Sequence, residues 1–167
     1  MTRRKPILVY DFDGVIHSYT SGWKGAAVIP DPPVPGALEH IVRSFLDFQP
    51  AIFSSRSHQW GGIRAMKRYV FNHLISLGGV DPTNIHDPAY RVPDWWADYI
   101  HENSAMEPWP NEVHASAARV VREIKWPIFK PAAIYSIDDR GHQFDGTWPT
   151  HASIAHFKPW NKRERAA

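Results

Sequence analysis

The sequence predicts a single α/β domain with a central parallel sheet and helices on both faces. Three observations point there. Short continuous apolar runs at residues 7–10, 51–53 and 132–137 read as strands buried in a parallel sheet. Segments with apolar residues at helical spacing lie between them, giving the strand–helix alternation of parallel α/β domains. The length of 167 residues suits one domain with a proper core.

The first run, Ile7 to Tyr10, ends in Asp11-Phe12-Asp13-Gly14. Residues 20–35 then turn to Gly, Pro, Ser and Trp, a composition that resists regular structure and predicts a long loop beside a strand end. Trp23 either packs down on the domain there or belongs to a functional loop. After Pro35-Gly36, Ala37, Leu38, Ile41, Val42, Phe45 and Leu46 form the apolar stripe of a first helix. The second strand, 51–53, runs into Ser54-Ser55-Arg56. A second helix from about 60 to 77 aligns Ile63, Met66, Val70, Phe71 and Leu74, with Gly78-Gly79 as its stop.

Residues 80–110 break the rhythm with scattered prolines, a Trp95-Trp96 pair in a short helix capped by Asp94, and Trp109. About 79–124 is expected to be an insertion and partial lid. Within it, Val113, Ala117, Val120, Val121 and Ile124 mark another helix. The tryptophans either anchor this insertion or stack on a base or sugar. The third strand, 132–137, ends in Asp138-Asp139-Arg140.

Composition narrows the function. The formal charge of +2 is nearly balanced, so no strong field announces a nucleic-acid partner. The absence of cysteine excludes disulfides, thiolate-bound zinc and a cysteine nucleophile, and fits a reducing cytoplasm. No apolar stretch reaches the roughly 20 residues of a membrane span, so a soluble protein without a membrane partner is expected. A monomer is expected from the lack of heptads, and Arg3-Arg4-Lys5 and Lys162-Arg163-Glu164-Arg165 read as solubilising termini.

All three strands end in functional side chains, on the side where open parallel sheets place their ligand crevice. Carboxylates gathered there repel one another unless a cation compensates. With only oxygen ligands offered, a hard ion such as Mg²⁺ is the natural occupant. Two aspartates one residue apart can divide the work of phosphoryl transfer, Asp11 attacking phosphorus and Asp13 moving protons. Gly14 lets the chain turn sharply around the substrate. Ser54 can supply a hydroxyl and Lys130 a cation for the phosphoryl oxygens. Arg56 and Arg140 either bind substrate phosphate or brace the carboxylates. His17 either faces the leaving group or makes a local backbone hydrogen bond.

Other chemistries fit less well. "DFDGVIHSYTSG" lacks the alternating oxygen ligands and late glutamate of an EF-hand. No G-x-S-x-G elbow surrounds either serine, and no zinc-protease histidine spacing stands on a credible helix with a third ligand nearby.

The succession "VYDFDGV", "AIFSSRS", "FKP" and "IYSIDDR" resembles the four motifs of the haloacid dehalogenase (HAD) superfamily of phosphohydrolases, over residues 7–57 and 130–140. The resemblance implies a Rossmann-like three-layer sandwich, with Asp11 as nucleophile, Asp13 as acid/base, Ser54 as phosphate-binding hydroxyl and Lys130 as the motif lysine. It implies Mg²⁺ held by Asp11, the backbone carbonyl of Asp13, Asp138 and Asp139. Ser55, Arg56, Arg140 and His17 are the candidate substrate contacts. Lys125, close before Lys130, is the rival for the motif lysine. "DDRGHQFDGTWP" resembles small phage and prophage HAD-like hydrolases, and "DDR" is similar to polynucleotide 3′-phosphatase domains. The expected activity is therefore Mg²⁺-dependent hydrolysis of a phosphomonoester through an aspartyl-phosphate, the substrate a nucleotide or a nucleic-acid 3′-phosphate. A small metabolite phosphate, a phosphotransferase, and a non-catalytic module binding Mg²⁺ and phosphate are the alternatives.

Overall fold

In a computed structural model of the chain, residues 4–77, 110–141 and 149–163 are described. Three parallel strands form a small open sheet in the order β2–β1–β3, where β1 is Ile7–Tyr10, β2 is Gln49–Ile52 and β3 is Tyr135–Ile137. The central position of β1 explains its unbroken apolar run, since Leu8, Val9 and Tyr10 are all buried. Tyr10 pairs with Ile52 on one side and Ile137 on the other, so all three strands end level.

Helix α1 spans Ala37–Ser44, α2 spans Gly62–Leu77, α3 spans Pro110–Glu123 and α4 spans His151–Ala155. Short 3₁₀ turns cover Ser55–His58 and Trp160–Lys162. Leu38, Ile41 and Val42 of α1, Met66, Val70 and Leu74 of α2, and Val113, Ala117 and Val120 of α3 join Leu8, Tyr10 and Ile52 in one buried cluster. Burying each of the larger of these aliphatic side chains contributes roughly 1.5–3 kcal/mol.

Several boundaries differ from expectation. Helix α1 stops at Ser44, whose hydroxyl donates back to the Ile41 carbonyl, and Leu46 is left exposed. Strand β2 begins at Gln49 and ends one residue before Phe53, whose amide still donates to the Tyr10 carbonyl. Strand β3 is half the expected length. Before it, the Ile134 amide donates to the Ile7 carbonyl, but Ile134 and Tyr135 are exposed, as suits a strand that among the described residues pairs on one side only. Within the expected insertion, Val113, Ala117, Val120 and Ile124 belong to the core. Residues 79–109, with Asp94, Trp95, Trp96 and Trp109, lie outside the described residues, as do Gly78 and most of "GHQFDGTWP".

After α3 the chain returns along the free side of β2, where Lys125 takes the Pro50 carbonyl and gives its own carbonyl to Ile52. No helix among the described residues is long and apolar enough to cross a membrane.

Candidate active site

Because the strands end level, the residues that follow them share one edge of the sheet. Asp11 follows Tyr10, Asp138 follows Ile137, and Phe53 leads from β2 into Ser54. The Asp11 amide donates to the Ile137 carbonyl at 2.9 Å, which stitches the two acidic ends together. A crevice of about 300 Å³ opens there, lined by Asp11, Asp13, Ser54, Ser55, Lys130, Asp138 and Arg140. Tyr19 and Trp23 complete its wall.

Asp11, Asp138 and Asp139 each offer a carboxylate oxygen within 4.8 Å of the others. The Phe12 amide donates to Asp11 Oδ1 at 2.7 Å, and the amides of Arg140 and Gly141 donate to Asp138 Oδ1 at 2.8 and 3.1 Å. These bonds fix both carboxylates at the mouth. Asp139 is different: its side chain is fully buried, and neither oxygen has a hydrogen-bond partner among the described residues. Arg140 Nε stands 3.8 Å from Asp139 Oδ1, too long for a hydrogen bond.

The electrostatics follow from this crowding. Burial pushes the Asp11 carboxyl up from 3.8 to about 7; the Phe12 amide opposes this, and Asp138, Asp13 and Asp139 add to it. Burial likewise raises Asp139, against the pull of Arg140 and with the push of Asp138. Such a set of clustered, under-partnered oxygens fits a hard divalent cation, which would supply the missing positive charge.

Gly14 makes the close approach possible. Its φ is +90°, and a Cβ there would lie 2.3 Å from Asp139 Oδ2. Both the left-handed backbone and the absent side chain are therefore required at this position.

Asp13 is held from behind. Arg56, fully buried, donates from Nε to Oδ2 at 2.8 Å and from Nη2 to Oδ1 at 3.0 Å, while His17 Nδ1 lies 2.8 Å from Oδ1. Burial alone would raise the Asp13 carboxyl, but the hydrogen bonds and charge of His17 and Arg56 outweigh it and hold it below the ordinary value. The Asp31 amide donates to His17 Nε2 at 3.2 Å, which leaves Nδ1 as the nitrogen that donates to Asp13.

In this geometry Arg56 braces the Asp13 carboxylate. Its remaining nitrogen, Nη1, donates to the carbonyls of Gly25, Ala26 and Val28 at 2.7, 2.8 and 3.2 Å. Four of its five N–H donors are thus directed at Asp13 and the loop carbonyls, away from the role of a free substrate contact. His17 is fully buried between Asp13 and Asp31 and is absent from the residues that line the crevice.

Arg140 does reach the crevice, with its guanidinium 5.8 Å from the Tyr19 ring. Ser54 caps the 3₁₀ turn at the end of β2: its Oγ accepts the Arg56 amide at 3.4 Å, and Ser57 Oγ accepts the Ser54 amide at 3.2 Å. Of the two lysines, Lys130 lines the crevice, whereas Lys125 sits against the outer side of β2.

The loop at 20–35 is an ordered excursion closed at its base by Ser18 N to Pro32 O and Val34 N to Ile16 O, at 3.0 and 2.8 Å. The C-terminal segment braces the neighbouring turn: Trp160 Nε1 donates to the Gly14 carbonyl at 2.7 Å, and Asn161 Nδ2 donates to the Ser18 carbonyl at 3.0 Å. Lys162 Nζ reaches the Thr20 carbonyl at 3.3 Å, so residues 160–162 dock as a strap on this turn. A separation of 146 residues between Trp160 and Gly14 left no local signal of that contact.

Comparison with family models, with curated proteins and with solved structures finds no match to this chain.

Proposed function

We propose that the protein is a Mg²⁺-dependent phosphomonoester hydrolase acting through an aspartyl-phosphate, with a Rossmann-like three-layer fold of the HAD type. The observation that carries this reading is the Asp11, Asp138 and Asp139 cluster, whose Asp11 and Asp138 line one crevice with Ser54 and Lys130 and whose buried Asp139 oxygens have no hydrogen-bond partner among the described residues.

In this reading Asp11, Asp138, Asp139 and the Asp13 carbonyl would hold the cation. A bound Mg²⁺ would offset charge on Asp11 and on the phosphoryl oxygens. Asp11 Oδ forms a bond to phosphorus as the bond to the leaving oxygen breaks, and Asp13 gives that oxygen its proton. Water then attacks the phosphorus of the aspartyl-phosphate, Asp13 takes a proton from it, and free phosphate leaves as the Asp11 carboxylate is restored. Ser54 and Lys130 stabilise the charge that builds on the phosphoryl oxygens in both halves. The depressed Asp13 carboxyl suits the second half, where the residue acts as a base. In the first half Asp13 must carry a proton, which His17 and Arg56 oppose, so that step should already slow as pH rises out of the acid range.

The substrate we favour is a nucleotide or a nucleic-acid 3′-phosphate end, and the protein is read as monomeric and cytoplasmic. The test is phosphate release from nucleoside monophosphates, sugar phosphates and a 3′-phosphorylated oligonucleotide, with and without Mg²⁺. Release that requires Mg²⁺ and is lost in Asp11→Asn is expected. No release from any of them, with Mg²⁺ still bound, would replace the enzyme with a phosphate-binding module.

A further inference from the structure

We infer that Trp23 determines specificity in this crevice by stacking on a nucleobase carried by the leaving group of the phosphomonoester. This inference rests on the phosphatase reading above, and it names the substrate class that the chain's own wall selects.

Trp23 lines the crevice together with Asp11 and Ser54 and is 44% exposed. The Arg56 guanidinium carbon lies 4.6 Å from its ring centroid, and Arg56 is fully buried. The indole face over Arg56 is therefore covered, and the exposed area belongs to the opposite face and the edge. A flat aromatic surface is thus presented to the crevice beside the acidic cluster.

That surface is rigid before any ligand arrives. Arg56 Nη1 holds three carbonyls of the same loop, at Gly25, Ala26 and Val28, while Nε and Nη2 are anchored on Asp13. The ring is sandwiched on one side by a fixed cation, so little ordering entropy is lost on binding. On the same wall Tyr19, at a left-handed φ of 56°, has Arg140 over its ring at 5.8 Å. A crevice of about 300 Å³ is at the small end of ligand pockets and suits one nucleotide unit. A phosphate ester without a planar group would leave the Trp23 face unused. A base stacked there is expected to gain roughly tenfold or more in selectivity.

The shared chemistry is a nucleobase next to the scissile phosphate, whether in a free nucleotide or at an oligonucleotide end. The experiment compares kcat/KM for adenosine 3′-phosphate, a 3′-phosphorylated oligonucleotide, ribose 5-phosphate and glycerol phosphate, in the full chain and in Trp23→Leu and Trp23→Phe. Leucine keeps an apolar cover over Arg56 but removes the π face. The ratio of base-carrying to base-free substrate should fall roughly tenfold in Trp23→Leu and be partly kept in Trp23→Phe. The comparison between mononucleotide and oligonucleotide tells the two sources apart. Equal kcat/KM for base-carrying and base-free substrates in the unaltered protein overturns the inference without any variant, as does a ratio that Trp23→Leu leaves unchanged. If no phosphomonoester turns over, the phosphatase reading fails separately. Equilibrium binding then tests Trp23: adenosine 3′-phosphate should bind more tightly than ribose 5-phosphate, with the gap lost in Trp23→Leu, and equal binding overturns the inference.

Discussion

Replacing Asp11 by Asn should make the cation-free protein more stable while destroying its proposed activity. Asn removes the ionisable group but keeps an oxygen to accept the Phe12 amide. The Asp11 carboxyl is pushed from 3.8 in an unconstrained chain to about 7 in the fold, chiefly by burial. That interval corresponds to on the order of 4 kcal/mol of penalty on the ionised form. Partial solvent access and side-chain relaxation reduce the expected gain to about 2 kcal/mol, or roughly 4–8 °C in Tm for a chain of this size. The sign depends on pH. Between about 4 and about 7 the folded protein binds the extra proton, so this contribution to stability falls as pH rises through that window. The advantage of Asp11→Asn should be full at pH 8 and less than half as large at pH 5. Saturating Mg²⁺ should reverse the order at pH 8, since a ligand at 100 times its Kd stabilises the form that binds it by about 2.7 kcal/mol. Thermal melts at the two pH values, with and without Mg²⁺, check this. An Asp11→Asn protein less stable than the parent at pH 8 without Mg²⁺, or an equal Mg²⁺ shift in both, would refute the electrostatic reasoning.

Arg56→Lys cannot reproduce the fork on Asp13 or the three carbonyl bonds, and should cost roughly 3–5 kcal/mol in urea unfolding by leaving buried groups unpaired. Gly14→Ala should lower Tm through the strain of its left-handed φ and also weaken Mg²⁺ binding measured by calorimetry, because the new Cβ meets Asp139 Oδ2. Lys130→Ala should lower kcat by roughly 10²–10³, the usual cost of one charge-stabilising donor, and Lys125→Ala should not. Steady-state kinetics on a generic phosphate ester decides between the two lysines.

The parts of this molecule legible in the sequence are those with local causes. Strand β1 was legible because a strand paired on both sides must be apolar throughout, and Asp11 because it follows that run. Ser54, Asp138 and Asp139 were placed at the same edge by the same logic. Strand β3 was overestimated because apolarity at 132–134 does not distinguish a paired strand from an exposed lead-in. Leu46 fitted the stripe of α1 arithmetically, yet the helix ends before it. For Arg56 and His17 the residue types were suggestive but their direction was not legible. What turns Arg56 inward is a set of backbone carbonyls at 25–28, and carbonyls carry no sequence signature. The unpartnered oxygens of Asp139 and the strap at Trp160 likewise exist only once distant segments meet.

The most direct test of the central claim is to trap the covalent intermediate. The protein would be mixed with a ³²P-labelled phosphomonoester and Mg²⁺, quenched in acid within one turnover, and digested to find the labelled residue. Acid-stable, hydroxylamine-labile label on the peptide containing Asp11, absent from Asp11→Asn, is the predicted result. Phosphate release at full rate with Asp11 unlabelled, or with Asp11→Asn as active as the parent, would contradict the account.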